Sequence, residues 1–122
     1  MSVRKGSRMS KPLGDFEKLI LFALLRLGDD AYGAEIQRAI TSRTGREVAI
    51  GAVYTALHRL QKHGLITARM GEPTPERGGR RKKFYTLEPA GARALDESWE
   101  MLRRMAEGTD ARLEALTEAG DV

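Results

Sequence analysis

Residues 50–87 constrain the fold more than any other part of this 122-residue chain. They open with Ala52-Val-Tyr-Thr-Ala-Leu-His-Arg-Leu-Gln-Lys-His63, whose apolar residues recur at the spacing of one helical face. Gly64 follows, the residue type that best tolerates the left-handed geometry just past a helix end. Two runs, 65–70 and 83–87, have strand character, and the loop between them holds Pro73, Pro75, Gly78 and Gly79. That loop is too long for a tight hairpin turn. Its far end carries Arg77, Arg80, Arg81, Lys82 and Lys83 within seven residues. A helix with a polar outer face, followed by a hairpin with a cationic tip, is the layout of a winged helix-turn-helix. It makes double-stranded DNA the expected partner.

The preceding residues supply the helices such a layout needs. Residues 1–12 read as a basic arm ended by Pro12 and Gly14, with Met9 as a second potential start. Asp15 is the expected N-cap of a first helix reaching Leu27. Phe16, Leu19, Ile20, Ala23, Leu24 and Leu27 form its apolar face, and Leu21, Phe22 and Leu25 add a second apolar flank. Gly28-Asp-Asp30 reads as a turn. A second helix fits Tyr32 to Arg43, with Ile36, Ala39 and Ile40 inward and Gly45 beyond its end. Gly51 is the expected cap of the third helix, and Pro89 opens a fourth, where its missing N–H costs nothing. Gly108 interrupts that helix, and Asp110 is placed to cap a last short one carrying Leu113 and Leu116. The expected organisation is a basic arm at 1–12, a winged helix-turn-helix at 13–88 and a C-terminal helix with a tail at 89–122. The fold class is mainly α with a β-hairpin.

Composition narrows the function classes. The chain has no cysteine, which removes disulfides and thiolate chemistry and fits a reducing cytoplasm. The longest apolar cluster, 19–25, is too short to span a membrane, and no apolar stretch follows the basic N-terminus as a secretion signal would require. Residues 1–87 hold 17 Lys and Arg against 8 Asp and Glu, a balance of +9, while residues 88–122 hold 4 against 9, a balance of −5. A field arranged this way steers a polyanion to one side of the molecule. No nucleophile elbow, phosphate loop, metal motif or paired-carboxylate context is present, so neither an enzyme nor a bound cofactor is expected. His58 and His63 lack the companions a metal site needs. The alternative reading is a winged helix that contacts RNA or protein without recognising an operator.

On the third helix Val53, Ala56, Leu57 and Leu60 share one face, and Ala52, Thr55, Arg59 and Lys62 share the opposite one, flanked by Tyr54 and His58. Small residues near the helix start allow close approach to a major groove, Thr55 can donate or accept, and Arg59 can fork onto guanine or phosphate. Lys62 fits either a phosphate contact or a charge offsetting the helix dipole. Tyr54 either bonds a phosphate or packs under the wing. The five wing cations fit phosphates or a minor groove. Strand alternation sends Phe84 and Tyr85 to opposite faces.

At these residues the chain resembles the PadR family of bacterial transcriptional regulators. The resemblance is carried by Leu19-Ile-Leu-Phe-Ala-Leu-Leu25, Tyr32-Gly-Ala-Glu-Ile36, Val53-Tyr-Thr-Ala-Leu-His-Arg-Leu60, Gly64-Leu-Ile66, Gly78-Gly-Arg-Arg-Lys-Lys-Phe-Tyr85 and Leu87-Glu-Pro-Ala-Gly91. The chain departs from the family pattern at Ala31-Tyr-Gly33, where a His-Gly-Tyr-type start to helix two is usual. It departs again at Gly51, where Ser or Thr is usual, and at Glu88, which stands for Thr. These changes loosen caps more than they threaten the fold. The resemblance implies a homodimer, joined through a C-terminal helix, that represses promoters by binding inverted repeats; in many members a small effector, often aromatic or drug-like, lowers DNA affinity. Leu95, Trp99, Leu102 and Met105 or Ala106 form an apolar stripe suited to that joint, since it would otherwise be exposed. Trp99 is either interface packing or an effector contact, and Asp96, Glu97 and Glu100 around it would favour a cationic effector.

Overall fold

Three helices meet through the faces that the 3.6-residue repeat assigns inward. In the computed structural model, which describes residues 13–72 and 82–120, α1 spans Asp15–Leu27, β1 Ala31–Tyr32, α2 Gly33–Thr44 and α3 Ile50–Lys62. β2 (Ile66–Met70), β3 (Lys83–Leu87), α4 (Pro89–Ala106) and α5 (Asp110–Gly120) follow. Ile20, Leu21 and Leu24 of α1, Ile36 and Ile40 of α2, and Val53, Leu57 and Leu60 of α3 form the centre of the core, with Ile66, Tyr85 and Leu95 closing it. Leu→Ala at such a position costs about 2–5 kcal/mol. The second flank of α1 is covered only in part. Leu21 is buried and Phe22 partly so, but Leu25 is exposed, as is Leu27 at the end of the first face, because among the described residues no element packs over the C-terminal end of α1 there.

The helix ends correct three expected caps. Gly14, not Asp15, is the N-cap of α1. A glycine has no side-chain acceptor, so the cap works from inside the helix: the Glu17 carboxylate accepts the Gly14 N–H at 2.9 Å. Tyr32 caps α2 in the same way, its N–H donating to Glu35 Oε1 at 3.1 Å. α3 starts after Ala49 rather than Gly51, and the Ala49 carbonyl accepts from the N–H groups of Ala52 and Val53. A bond from the Gln37 amide to the Val48 carbonyl, 2.8 Å, fixes the connection before it. Asp110 is the first residue of α5, and the Leu113 N–H donates to the Thr109 carbonyl one position earlier.

At the end of α3 the chain closes a Schellman motif. Gly64 takes φ 75°, its N–H reaches the Gln61 carbonyl, and the Leu65 N–H reaches the Leu60 carbonyl. This aims the chain directly into β2. The Leu65 carbonyl then accepts the Glu88 N–H at 3.0 Å, and Gly91 lies so close that a Cβ there would strike the Leu65 carbonyl. The backbone thus ties the base of the hairpin to the start of α4.

The sheet has a strand the hairpin pattern does not announce. Its order is β1-β3-β2, all antiparallel, with Ala31 opposite Tyr85 and Ile66 opposite Leu87. β1 is two residues long, too short for any alternation to show. It is preceded by Asp30, which adopts φ 65°, donates its N–H to Thr86 Oγ1 and accepts from Arg69 Nε at 3.0 Å. Among the described residues no helix is long and apolar enough to cross a membrane, and no group of acidic and histidine side chains is arranged to hold a metal ion.

Candidate nucleic-acid interface

α3 divides as its spacing requires. Val53, Ala56, Leu57 and Leu60 are buried, while Ala52, Thr55, His58, Arg59 and Lys62 are exposed on the other side. The first turn carries no acidic residue, so the positive end of the helix dipole stays uncompensated by a carboxylate of its own helix. Tyr54 is half-exposed, and its phenol end lies over the first turn of α2: a Cβ on Gly33 would come within 2.6 Å of it. Only glycine at 33 permits this seat.

Beside α3 lies a cleft of about 440 Å³, walled by Gly14 and the first residues of α1, Asp15, Phe16 and Glu17, and by Ala52, Thr55, Ala56 and Arg59. Arg59 does not stand alone there. Its Nη1 lies 3.6 Å from Glu17 Oε2; the Glu17 side chain is 16% exposed and that of Arg59 is 57% exposed. Lys18 pairs with Asp15 at 3.5 Å. Spacing along α3 gave no sign of the Glu17 contact, because the partner comes from another helix.

The base of the wing is a cluster of rings and cations. Phe84 meets the Tyr32 ring edge-on at 6.1 Å and carries the Arg69 guanidinium 4.9 Å from its centroid. A Cβ on Gly71 would collide with Phe84, so this ring also depends on a glycine. The Lys82 ammonium sits 4.1 Å above the Tyr32 ring, and Arg38 donates to the Tyr32 hydroxyl at 3.3 Å. Lys83 is exposed, its ammonium 6.0 Å from the Tyr85 ring. Tyr85 is the buried member of the alternating pair, and burial raises its phenol pKa, with the nearby Tyr54 adding to the shift. Arg38 and Arg69 belong to this cationic surface but are absent from the sequence-based set; exposed alternation in β2 was the available signal for Arg69. Arg77, Arg80 and Arg81, like the arm at 1–12, lie outside the described residues.

The expected C-terminal stripe splits. Leu95 is 3% exposed and belongs to this chain's own core, so it is not without a partner. Trp99 is 46% exposed and rests edge-on against Phe22 at a ring separation of 5.7 Å. Leu102 and Met105 are exposed, the latter by 78%, and so are Ala106, Leu113 and Leu116. Of the acids near Trp99, Glu100 is engaged by Arg103 at 2.9 Å and Arg104 at 3.5 Å. The hydrogen bond from Arg103 is the main cause of its lowered pKa.

Comparison with known proteins gives this geometry its context. The profile of the PadR-like transcriptional regulator family matches residues 21–97. The transcriptional regulator Rv3488 of Mycobacterium tuberculosis is 32% identical over 78 residues, 64% of this chain and 68% of that protein. A PadR family regulator from Clostridium difficile superposes with a TM-score of 0.67 at 26% identity, covering 82% of this chain and 99% of that one. Bacillus subtilis PadR, crystallised in complex with operator DNA, superposes with a TM-score of 0.57 at 27% identity, over 67% of this chain and 45% of that one.

Proposed function

We propose a function from one premise: this chain belongs to the PadR-like family of transcriptional regulators, which are not enzymes. The protein is a homodimeric repressor that binds an inverted-repeat operator, acting in the cytoplasm with the DNA. α3 enters the major groove, with Thr55 and Arg59 at base edges and Lys62 at a phosphate. The cations of the wing, Lys82, Lys83, Arg77, Arg80 and Arg81, follow the adjacent backbone. The observation that carries this reading is the division of α3, whose inner residues are fully enclosed while its polar outer residues stand open. Operator DNA bound to the Bacillus subtilis relative supports it.

The dimer rests on the exposed stripe of Trp99, Leu102, Met105 and Ala106, which a second copy would cover. A small aromatic or cationic effector at that joint, in contact with Trp99, would change the separation of the two α3 helices and release the operator. Operator affinity that no interface-binding ligand alters would remove this last element.

The test is a salt-titrated binding assay with the duplex upstream of the protein's own gene, against random duplex. Preference of about a hundredfold or more is expected. Equal, steeply salt-dependent binding to both would leave a basic surface without operator recognition, and no binding would favour a protein partner instead.

A further inference from the structure

We propose that Glu17 is a positioning residue for DNA reading, holding the Arg59 guanidinium so that it discriminates bases rather than gripping any phosphate. The inference rests on the reading of α3 as the recognition helix. Its own observations are the anchoring of Glu17 and the asymmetry of the pair.

One oxygen of Glu17 is fixed by the Gly14 N–H at 2.9 Å, and the other lies 3.6 Å from Arg59 Nη1. The carboxylate is thus set by the first turn of α1 before any ligand arrives, and most of its surface is covered. Arg59 is the more open partner, a long side chain more than half exposed. The Glu17 contact runs through Nη1 at 3.6 Å, and with the Arg59 side chain 57% exposed, donors of its planar five-donor group remain open to a second acceptor. A guanidinium held on one side loses less rotamer freedom when the other side binds. The two bonds of a guanine edge match that fixed fork, whereas a phosphate can be reached from many orientations.

The same carboxylate acts against unspecific binding. It places a negative charge beside the cation, where a passing phosphate gains little from Arg59. On the operator the fork geometry compensates for that charge. On random duplex nothing does. Glu17 therefore raises operator affinity and lowers random affinity through one contact.

Glu17→Gln tests this, because the amide oxygen can still accept the Gly14 N–H while the charge is lost. The probes are the tightest duplex that the wild-type protein selects from a random library, and a random duplex, with the variant made both with Arg59 and with Arg59→Ala. Half-exposed ion pairs are worth at most about a fivefold factor. The variant is expected to bind the selected duplex about two- to fivefold more weakly and the random duplex equally or more tightly. A repeat selection should lose discrimination at one base pair per half-site, and neither effect should survive in Arg59→Ala. Equal tightening on both duplexes, whether or not Arg59 is present, would overturn the proposal and leave Glu17 a simple repulsive charge. Wild-type protein that selects no sequence would overturn the recognition-helix reading itself, and with it this inference.

Discussion

Two helices of this protein leave one side uncovered, and the uncovered sides differ in chemistry. On α3 the open side is Ala52, Thr55, Arg59 and Lys62. On α4 it is Trp99, Leu102 and Met105, and every residue from 101 to 120 is exposed. Both helices anchor their inner faces in the same core, α3 through Leu57 and Leu60, α4 through Gly91 and Leu95. Exposed polar residues on a well-anchored helix need no further packing. An exposed tryptophan, leucine and methionine on one helix form a patch that a lone chain keeps in water at a cost. The comparison separates an open side that is polar and cationic from one that is apolar.

Substitutions can break or sharpen that contrast. Leu57→Ala removes the inner anchor of α3 and should destabilise the fold by about 2–5 kcal/mol in chemical denaturation; a loss below 1 kcal/mol would mean that the core is not organised around α3. Trp99→Ala acts on the other surface. Sedimentation equilibrium should show dimer association weakened by roughly 2 kcal/mol or more, and unchanged association would place the joint elsewhere. Gly91→Ala drives a methyl onto the Leu65 carbonyl and should cost about 1–3 kcal/mol in thermal unfolding. A neutral result would show that α4 is not seated on the hairpin base.

Arg59→Ala should weaken binding to the operator by about 1–3 kcal/mol while barely changing fold stability. Uniform weakening on all sequences would reduce Arg59 to a phosphate contact. The smallest effect concerns Asp30, whose pKa is lowered chiefly by the hydrogen bond from Arg69. A carboxyl lowered in the folded state contributes stability above its unfolded value and loses it as pH falls through the folded one. Stability should therefore decline slightly below the ordinary aspartate value of 3.8, and Arg69→Gln should flatten that part of the profile. A decline that persists unchanged in Arg69→Gln would assign it to other carboxyls.

The division of α3 was legible because periodicity alone decides which side of a helix is apolar, and burial followed it at Val53, Ala56, Leu57 and Leu60. Gly64 was legible for the same local reason, since its left-handed backbone closes the helix. What escaped depended on groups remote in the chain. β1 forms by pairing with Phe84 and Tyr85, more than 50 residues away, beside the bond from Asp30 to Thr86, and two residues carry no pattern. The caps of α1 and α3 were misplaced because a side chain reaching back and a bare backbone carbonyl did the work expected of Asp15 and Gly51. The stripe on α4 was read as continuous, yet Leu95 is covered by the core while Trp99 is only half covered. The Glu17–Arg59 contact joins two helices that no spacing rule connects.

Both uncovered faces can be tested in one experiment, a hydroxyl-radical footprint of the protein on the duplex upstream of its own gene. Two protected patches centred about one helical turn apart, roughly 10 base pairs, are expected from two α3 helices held by one apolar joint. A single protected patch from one bound chain would contradict the dimer and leave the α4 stripe unexplained.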